Sequence, residues 1–203
     1  MSWILPQTDQ TKSEQREETV YPSERWARAR KYGEVFNVKL RQHIVSMLMD
    51  AGYEALAPQL SPLWKEHLSE RYGFASTWSE RHAAYVAGLG TFGLSDGLIT
   101  PLGKAVRCGS ITARIRISAS PRPYNDHHAY CLFYAKGACS KCIDRCPVGA
   151  ITKEGHDKEK CKVNGDRDSS RYGFESHCCG LCQVGVPCES RIPVKSPRIE
   201  LPK

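Results

Sequence analysis

Apolar residues recur at three- and four-residue spacing in the first quarter of the chain, the pattern of a helix with one buried face. Ser23 is placed to cap the start of this helix, and Gly52 lies where a C-terminal cap glycine belongs. We expect Gly33 to divide the run into two helices, and Tyr53–Ala57 to form a short strand after it. The periodic apolar positions are Phe36, Leu40, Ile44, Met47 and Leu48.

Two further helices are predicted from their capping residues. Ser61 followed by Pro62 is typical of a helix start, and the apolar residues Leu63, Trp64 and Leu68 continue it. Thr77 and Glu80 have the spacing of a capping box, which predicts a helix through Ala87.

Strict alternation of apolar and polar residues predicts one strong strand over residues 111–118. The apolar start Trp3–Leu5 is either a second strand or a packed arm. Prolines between residues 120 and 130 indicate a loop or linker. The chain therefore divides into a helix-and-strand front part, residues 1–125, and a cysteine-rich back part, residues 126–203.

The composition is that of an ordinary globular protein, with 40% hydrophobic and 25% charged residues among 203. No apolar run is long enough to predict a membrane-spanning helix, so no membrane partner is expected. The first residues lack the charged leader and apolar stretch of a signal peptide. We therefore expect a cytoplasmic protein.

Nine of the ten cysteines lie between Cys131 and Cys188. Disulfides are rare in the cytoplasm, so this density indicates metal or cluster ligands. The strongest motif is Cys139-Ser-Lys-Cys142-Ile-Asp-Arg-Cys146-Pro147, which matches the C-x₂-C-x₃-C-P end of a bacterial iron–sulfur run. The two-residue gap lets the backbone curl round one corner of a cubic cluster. The proline favours a sharp departure because it cannot donate a backbone hydrogen bond.

Eight cysteines are candidate ligands, which is the number that two [4Fe–4S] clusters require. Lys136 occupies the position where the bacterial run has its first cysteine, and Cys131 is the natural substitute. The predicted metal ligands are Cys131, Cys139, Cys142, Cys146, Cys161, Cys179, Cys182 and Cys188.

A different metal or a different ligand would also fit parts of this spacing. Two C-x₂-C pairs suit a pair of zinc sites, although zinc sites do not need the Cys-Pro-x-Gly-Ala turn. His127 or His128 lies near enough to Cys131 to replace a ligand. We expect Cys108 to be a small buried side chain and Cys178 not to be a ligand.

Several segments outside the first motif carry a family resemblance. They are Ala87-Gly-Leu-Gly-Thr-Phe-Gly93, Leu98-Ile-Thr100, Gly109-Ser-Ile-Thr and the Cys-Gly-Leu-Cys-Gln that precedes Pro-Cys-Glu. Over roughly residues 77–193 the chain resembles the epoxyqueuosine reductases and, more distantly, the corrinoid reductive dehalogenases. The resemblance implies a ferredoxin-like C-terminal module whose two [4Fe–4S] clusters pass electrons one at a time to a cobalamin, which the preceding α/β domain holds.

The resemblance also implies how the ligands divide. One cluster takes Cys131, Cys139, Cys142 and Cys188, and the other takes Cys146, Cys161, Cys179 and Cys182. Two features depart from the family. Its cobalamin-binding members have a considerably longer N-terminal region. Epoxyqueuosine reductases have an acidic proton donor shortly before the Ala-Gly-Leu-Gly run, whereas here Tyr72–Ser79 contains no carboxylate.

We therefore predict an α+β fold in two parts. Residues 1–125 form a truncated α/β domain, with a short sheet and helices, that resembles part of the reductase cofactor domain. Residues 126–203 form a small ferredoxin-like module for two [4Fe–4S] clusters.

Two functions follow from these features. The first is an iron–sulfur electron-transfer protein that passes electrons one at a time to a partner or bound cofactor. The alternative is an oxidoreductase, a corrinoid-dependent reductase of the epoxyqueuosine reductase or reductive dehalogenase type. Cobalamin ranks below the clusters as a cofactor, because the segments that supply much of one pocket wall in the family are absent. Whether the protein is an enzyme stays open.

Charge gives little information about partners. The formal net charge is +7, but two loaded [4Fe–4S] clusters with eight thiolates would reduce it to about +3, so no nucleic-acid partner is expected. A strip of basic residues is either a docking surface for an acidic donor of the flavodoxin or ferredoxin type, or a solvated strand face. The residues of this strip are Lys104, Arg107, Arg114 and Arg116. In Ser79-Glu-Arg-His82, the polar residues Glu80, Arg81 and His82 are either substrate or cofactor contacts or, as we favour, a capping residue (Glu80) and a solvated helix face.

Overall fold

The computed structural model describes residues 1–119, 121–173 and 179–194, and it describes the backbone alone at residues 166–170. In this part of the chain the α-helices are α1 (Asp9–Glu17), α2 (Glu24–Asp50), α3 (Glu80–Val86), α4 (Leu132–Lys136), α5 (Lys141–Asp144) and α6 (Lys158–Ser169). The strands are β1 (Ser2–Pro6), β2 (Ala55–Leu56), β3 (Glu66–Ser69), β4 (Gly73–Ser76), β5 (Thr91–Phe92), β6 (Leu98–Ile99), β7 (Val106–Ser110), β8 (Thr112–Ala113), β9 (Ile151–Thr152) and β10 (Gly155–His156). This mixture of helices and short sheets confirms the predicted α+β class.

The sheets that the structure describes are antiparallel two-stranded pairs. They are β1–β7, β2–β8, β3–β4, β5–β6 and β9–β10. The longest pair joins β1 to β7, from Ser2 opposite Ser110 to Pro6 opposite Val106. Of the two predicted alternatives, a strand or a packed arm, the apolar start of the chain is therefore the strand. It ties the N-terminus to the segment that leads towards the cysteines.

Helix α2 runs without interruption for 27 residues, so the prediction that Gly33 divides it is wrong. Ser23 caps its start as predicted, because its Oγ accepts a hydrogen bond from the Trp26 N–H at 3.2 Å. Gly33 serves close packing instead. A Cβ at this position would lie 3.2 Å from Nε of Arg107, whose guanidinium donates to the Arg30 carbonyl at 2.7 Å.

The helix predicted from Ser61 and Pro62 does not form. The Ser61 Oγ accepts from the Leu63 N–H at 3.2 Å in a local turn, and the chain then continues into the β3–β4 hairpin. Leu63 is 82% exposed and Leu68 is 73% exposed. Leu63 and Leu68 therefore have no core surface against which a helix could pack, and packing supplies most of the stability of a short helix.

Helix α3 begins two residues later than predicted. Its N-cap is Ser79, whose Oγ accepts from the His82 N–H at 3.4 Å. The Thr77 Oγ1 instead accepts from the Lys65 N–H at 3.1 Å, beside the β3–β4 hairpin. The predicted capping box from Thr77 is therefore wrong, because hairpin pairing uses that threonine.

The strand predicted over residues 111–118 is wrong in extent. β7 ends at Ser110, and β8 covers only Thr112–Ala113, which pairs with Ala55–Leu56. β7 forms upstream of the prediction because β1 supplies its partner. Ile111 is 1% exposed, whereas Ile117 is 64% exposed. The alternating pattern thus continues beyond the residues that are paired in a sheet.

The largest buried cluster of apolar residues lies beside the cysteines and contains residues from both sides of position 125. Its members are Leu94, Ile99, Tyr124, Tyr130, Cys131 and Ile151. Partly buried cysteines pack against it: Cys142, Cys146, Cys182 and Cys188. The predicted two-part division of the chain stays a prediction. In the described part of the chain, no helix combines the length and the apolar character needed to cross a bilayer.

Candidate metal centre

Four predicted ligands line one small cavity, which we call the first cysteine group: Cys131, Cys139, Cys142 and Cys188. Cys131 occupies the N-cap position of α4, and Cys142 lies in α5. The short loop that separates α4 from α5 carries Cys139, and Cys188 follows a 3₁₀ turn. Leu94, Ile99 and Phe133 also line this cavity, so the four thiols lie in apolar surroundings.

The Cys-Pro-x-Gly-Ala turn folds back on its own cysteine. The Ala150 N–H donates a hydrogen bond to the Cys146 Sγ at 3.2 Å. Gly149 has φ +60, a conformation that glycine adopts without strain. A backbone amide aimed at a sulfur stabilises the anionic thiolate, which is the form that binds metal. The motif therefore has a local geometry suited to ligation.

The remaining predicted ligands form the second cysteine group: Cys146, Cys161, Cys179 and Cys182. Cys161 lies in α6, and Cys161, Cys179 and Cys182 line one large cavity. Burial and, to a smaller extent, the neighbouring charges of Cys182 and Cys146 raise the pKa of Cys161 to about 11. Cys161 is thereby linked to Cys146 as well as to the cavity. Three members of the second group thus share one cavity, and Cys146 lies near Cys161; the division of the eight cysteines between two clusters stays a prediction.

The two groups adjoin each other. The pKa of Cys142 is raised to about 11, mainly by burial; Lys104 opposes the rise, and the neighbouring charges of Cys182 and Cys188 contribute to it. Cys182 of the second group is therefore close to Cys142 of the first. Free thiols with such raised pKa values are protonated at neutral pH, so metal binding must displace their protons.

Among the described residues, no three His, Cys, Asp or Glu side chains converge closely enough to hold a single metal ion. A [4Fe–4S] core binds each thiolate to a different iron, so its four cysteines do not have to meet at one point. The arrangement of the two groups is compatible with cores of several atoms.

A buried lysine lies in the first cysteine group. Lys104 is 3% exposed and lines the same small cavity as the four cysteines. No carboxylate in the described part of the chain pairs with its ammonium, which donates to the Ser95 Oγ at 3.0 Å. Burial lowers the pKa of Lys104, but thiolate charge outweighs burial and the net pKa is raised. The cysteines responsible are Cys188, Cys182, Cys142 and Cys131.

This position overturns the predicted basic strip. Lys104 points into the protein, and Arg107 forms an ion pair with Glu34 at 2.8 Å on the surface of α2. Arg114 is exposed and pairs with Glu54 at 2.9 Å. The basic residues therefore do not share one solvated face. The alternating sequence pattern could not reveal this, because Lys104 and Arg107 belong to a part of the chain upstream of the predicted strand.

Helix α1 holds both cysteine-bearing loops, which the sequence did not indicate. The Gln15 Nε2 donates to the Cys179 carbonyl at 2.9 Å. The Arg16 Nε donates to the Glu189 carboxylate at 3.0 Å, next to Cys188. α1 is strongly polar, so a search for apolar periodicity does not detect its role. The structure reveals this role of α1 through Gln15, a polar residue that is 0% exposed.

A cavity of about 1210 Å³ lies beside the second cysteine group. Its lining includes Trp78, Arg81, His82, Asp96 and His156 together with Cys161. The His156 Nδ1 lies 3.1 Å from the Asp96 carboxylate. The cavity is larger than the roughly 300–1,000 Å³ of most small-molecule sites. It is therefore large enough for a ligand in reach of the second group.

The polar residues Glu80, Arg81 and His82, which precede the glycine-rich turn, do not share one role. The Glu80 carboxylate lies 3.1 Å from the guanidinium of Arg41, which is 1% exposed. Burial raises the pKa of Glu80, opposed by its hydrogen bond from Ser110 and by the charge of Arg41. Glu80 is thus a buried structural partner and not a cap. Arg81 and His82, in contrast, line the large cavity.

The histidines that precede Cys131 lie apart from the small cavity. Neither His127 nor His128 is among the described residues that line it. His128 stacks on Tyr134 with ring centroids 3.8 Å apart, and its Nδ1 lies 2.9 Å from the Phe92 carbonyl. The His128 ring therefore packs on α4 through Tyr134 and does not border the small cavity.

The two cysteines that were not predicted to be ligands differ in what the structure shows of them. Cys108 lies in β7, partly buried, and burial raises its pKa to about 11. Cys178 and the chain from residue 195 onward lie outside the described residues.

No family model, no curated protein and no solved structure matches this chain. The chemistry of the site therefore rests on the residues of this chain.

Proposed function

We propose that this chain is an iron–sulfur protein that binds two [4Fe–4S] clusters and transfers electrons one at a time. The acceptor is a partner protein or a ligand held in the large cavity. The first cysteine group binds one cluster and the second group binds the other. The observation that carries this proposal is the buried, carboxylate-free ammonium of Lys104 among four cysteines.

A buried ammonium without an anionic partner is strongly unfavourable, because the protein interior solvates charge poorly. In the first cysteine group, deprotonation of the thiols is the chemistry that supplies anions. Burial raises the pKa of the Cys142 and Cys188 thiols, so these two stay neutral until a metal takes their protons. A [4Fe–4S]²⁺ core with four thiolates carries a net charge of about −2, which compensates the lysine. The residues present therefore fit the cluster.

The protein residues have distinct roles around the clusters. The cysteines hold the iron, and the clusters supply one-electron chemistry when they are bound. Apolar residues such as Leu94 and Ile99 keep water from the first group, because both are at most 2% exposed. The neighbouring positions of Cys142 and Cys182 favour electron exchange between the two groups. The second group borders the large cavity, which makes it the exit side for electrons.

Cysteine replacements test this division. Cys139→Ala and Cys161→Ala should each remove about half of the iron and acid-labile sulfide of anaerobically prepared protein, because each variant lacks one ligand of one cluster. Cys108→Ala is the matched control and should keep the full content. Full iron content in both ligand variants would refute the ligand assignment.

A second candidate function is a corrinoid-dependent reductase. The observation that favours it is the cavity of about 1210 Å³ beside Cys161 and Cys182. We rank it second, because Tyr72–Ser79 has no carboxylate where the epoxyqueuosine reductases have their proton donor. We expect titration with cob(II)alamin to show weak binding or none. A one-to-one complex tighter than roughly micromolar, about −8 kcal/mol, would place the reductase first.

A further inference from the structure

We propose that Lys104 sets the order in which the two clusters take up electrons. Its buried charge holds the cluster of the first cysteine group at a higher reduction potential than the cluster of the second group. The first cluster is then an electron reservoir, and the second cluster delivers electrons towards the large cavity. This inference rests on the proposed function and adds a direction to it.

The charges around the two groups differ. Lys104 lines the small cavity together with all four cysteines of the first group. Near the second group, Arg81 and Asp96 act on Cys161 in opposite directions. They are also joined directly, since the Arg81 Nη1 donates to the Asp96 carbonyl at 2.6 Å. The first group therefore has a buried cation beside it. Among the described cations that line the cavity of the second group, Arg81 is exposed and Lys162 pairs with Glu66 at 3.2 Å, so their charges lie closer to solvent.

The position of the ammonium is fixed by its surroundings. Its Nζ donates to the Ser95 Oγ at 3.0 Å. The turn between β5 and β6 packs on the side-chain stem, and a Cβ at Gly97 would lie 2.7 Å from the Lys104 Cδ. The backbone N–H of Lys104 donates to the Cys188 carbonyl at 2.8 Å. The charge is therefore held next to the first group and cannot turn out to solvent.

A fixed cation favours the reduced form of a neighbouring cluster. Transfer of one electron between the clusters oxidises one core from the +1 to the +2 state and reduces the other from +2 to +1. No bond is made or broken, and no proton is required. The reduced core with its thiolates is more negative by one charge, so a nearby ammonium stabilises it more than the oxidised core. Burial keeps this interaction from being screened by water or salt.

Redox titration of the loaded, full-length protein tests the inference. Wild-type protein should show two one-electron midpoints by electron paramagnetic resonance. Lys104→Met and Lys104→Gln should both lower the upper midpoint potential by at least about 59 mV, which corresponds to a tenfold change in the equilibrium constant for a one-electron reduction. The lower midpoint potential should stay unchanged in both variants. Lys104→Arg keeps the charge and should keep the upper midpoint. Lys39→Met, at an exposed position of α2, should change neither.

The outcomes separate this inference from the proposed function. Wild-type protein without iron and sulfide would refute the function itself. Two results would overturn the role of Lys104 while the proposed function stands. Either neutral variant keeps both clusters with an unchanged upper midpoint potential, or it keeps both clusters and its two midpoint potentials move equally. If both neutral variants lose one cluster and Lys104→Arg keeps both, that result supports the dependence of the first cluster on this charge.

Discussion

Replacing Glu189 by alanine should destabilise the loop that carries Cys188, because it removes the clamp between this loop and α1. Glu189 is 7% exposed. Its carboxylate accepts hydrogen bonds from the Arg16 Nε at 3.0 Å and from the Gly185 N–H at 2.8 Å. The clamp thus joins residues 16 and 189, at opposite ends of the described chain.

The expected loss follows from these contacts. Hydrogen bonds to charged groups contribute about 1.5–3 kcal/mol each, and breaking a fully buried ion pair costs about 3–5 kcal/mol. The Arg16 side chain is 42% exposed, so water recovers part of its solvation when the partner is removed. The Gly185 N–H loses its carboxylate acceptor. We therefore expect the free energy of unfolding to fall by about 2–3 kcal/mol.

Urea unfolding of the anaerobic, loaded protein, followed by circular dichroism, measures this loss. Glu14→Ala is the matched control, because Glu14 pairs with Arg25 at 2.7 Å with side chains that are 41% and 46% exposed. Exposed pairs contribute only about 0–1 kcal/mol. An effect of Glu189→Ala no greater than that of Glu14→Ala would refute the clamp.

The same clamp predicts a pH dependence. Burial alone would raise the pKa of Glu189, but hydrogen bonds from Arg16 and Gly185 and the charges of Arg16 and Lys12 outweigh it and lower the pKa. A lowered folded-state pKa gives stability that is present above the unfolded pKa and is lost as the pH falls through the folded pKa. The difference in unfolding free energy between wild type and Glu189→Ala should therefore be full at neutral pH and shrink in acid. A difference independent of pH would contradict the carboxylate's role.

Three substitutions elsewhere in the chain have defined outcomes. Arg41→Met leaves the largely buried Glu80 carboxylate without its cation, and it should lower the free energy of unfolding in urea by about 3–5 kcal/mol. A loss below about 1 kcal/mol, the range of an exposed ion pair, would contradict a buried pair. Gly180→Ala should lower iron content, because Gly180 has φ +61 and its added Cβ would collide with the Trp26 indole beside Cys179; unchanged iron would contradict this. Cys108→Ala should leave iron and sulfide unchanged, and a loss of either would make Cys108 a ligand.

Local signals in the sequence predicted several elements correctly, because those elements depend on their own residues. Ser23 caps α2 through a hydrogen bond three residues away, and Gly52 adopts φ +84 just after that helix. The Cys-Pro-x-Gly-Ala turn likewise closes on itself through the Ala150 N–H. In each case, the residues that specify the structure lie within a few positions of one another.

Other features depend on distant partners, and the sequence pattern could not provide them. Gly33 resembles a helix breaker, but it makes room for Arg107, which lies 74 positions later in the chain. Lys104 resembles a surface charge until the loop with Cys188 closes over it. The role of Gln15 depends in the same way on the distant Cys179 carbonyl. Cysteine spacing identifies candidate ligands, but only tertiary packing places a cation among four of these cysteines.

Iron, acid-labile sulfide and zinc analysis of anaerobically prepared protein tests the central claim most directly. Two [4Fe–4S] clusters predict about eight irons and eight sulfides per chain. Stoichiometric zinc without sulfide would contradict the cluster assignment.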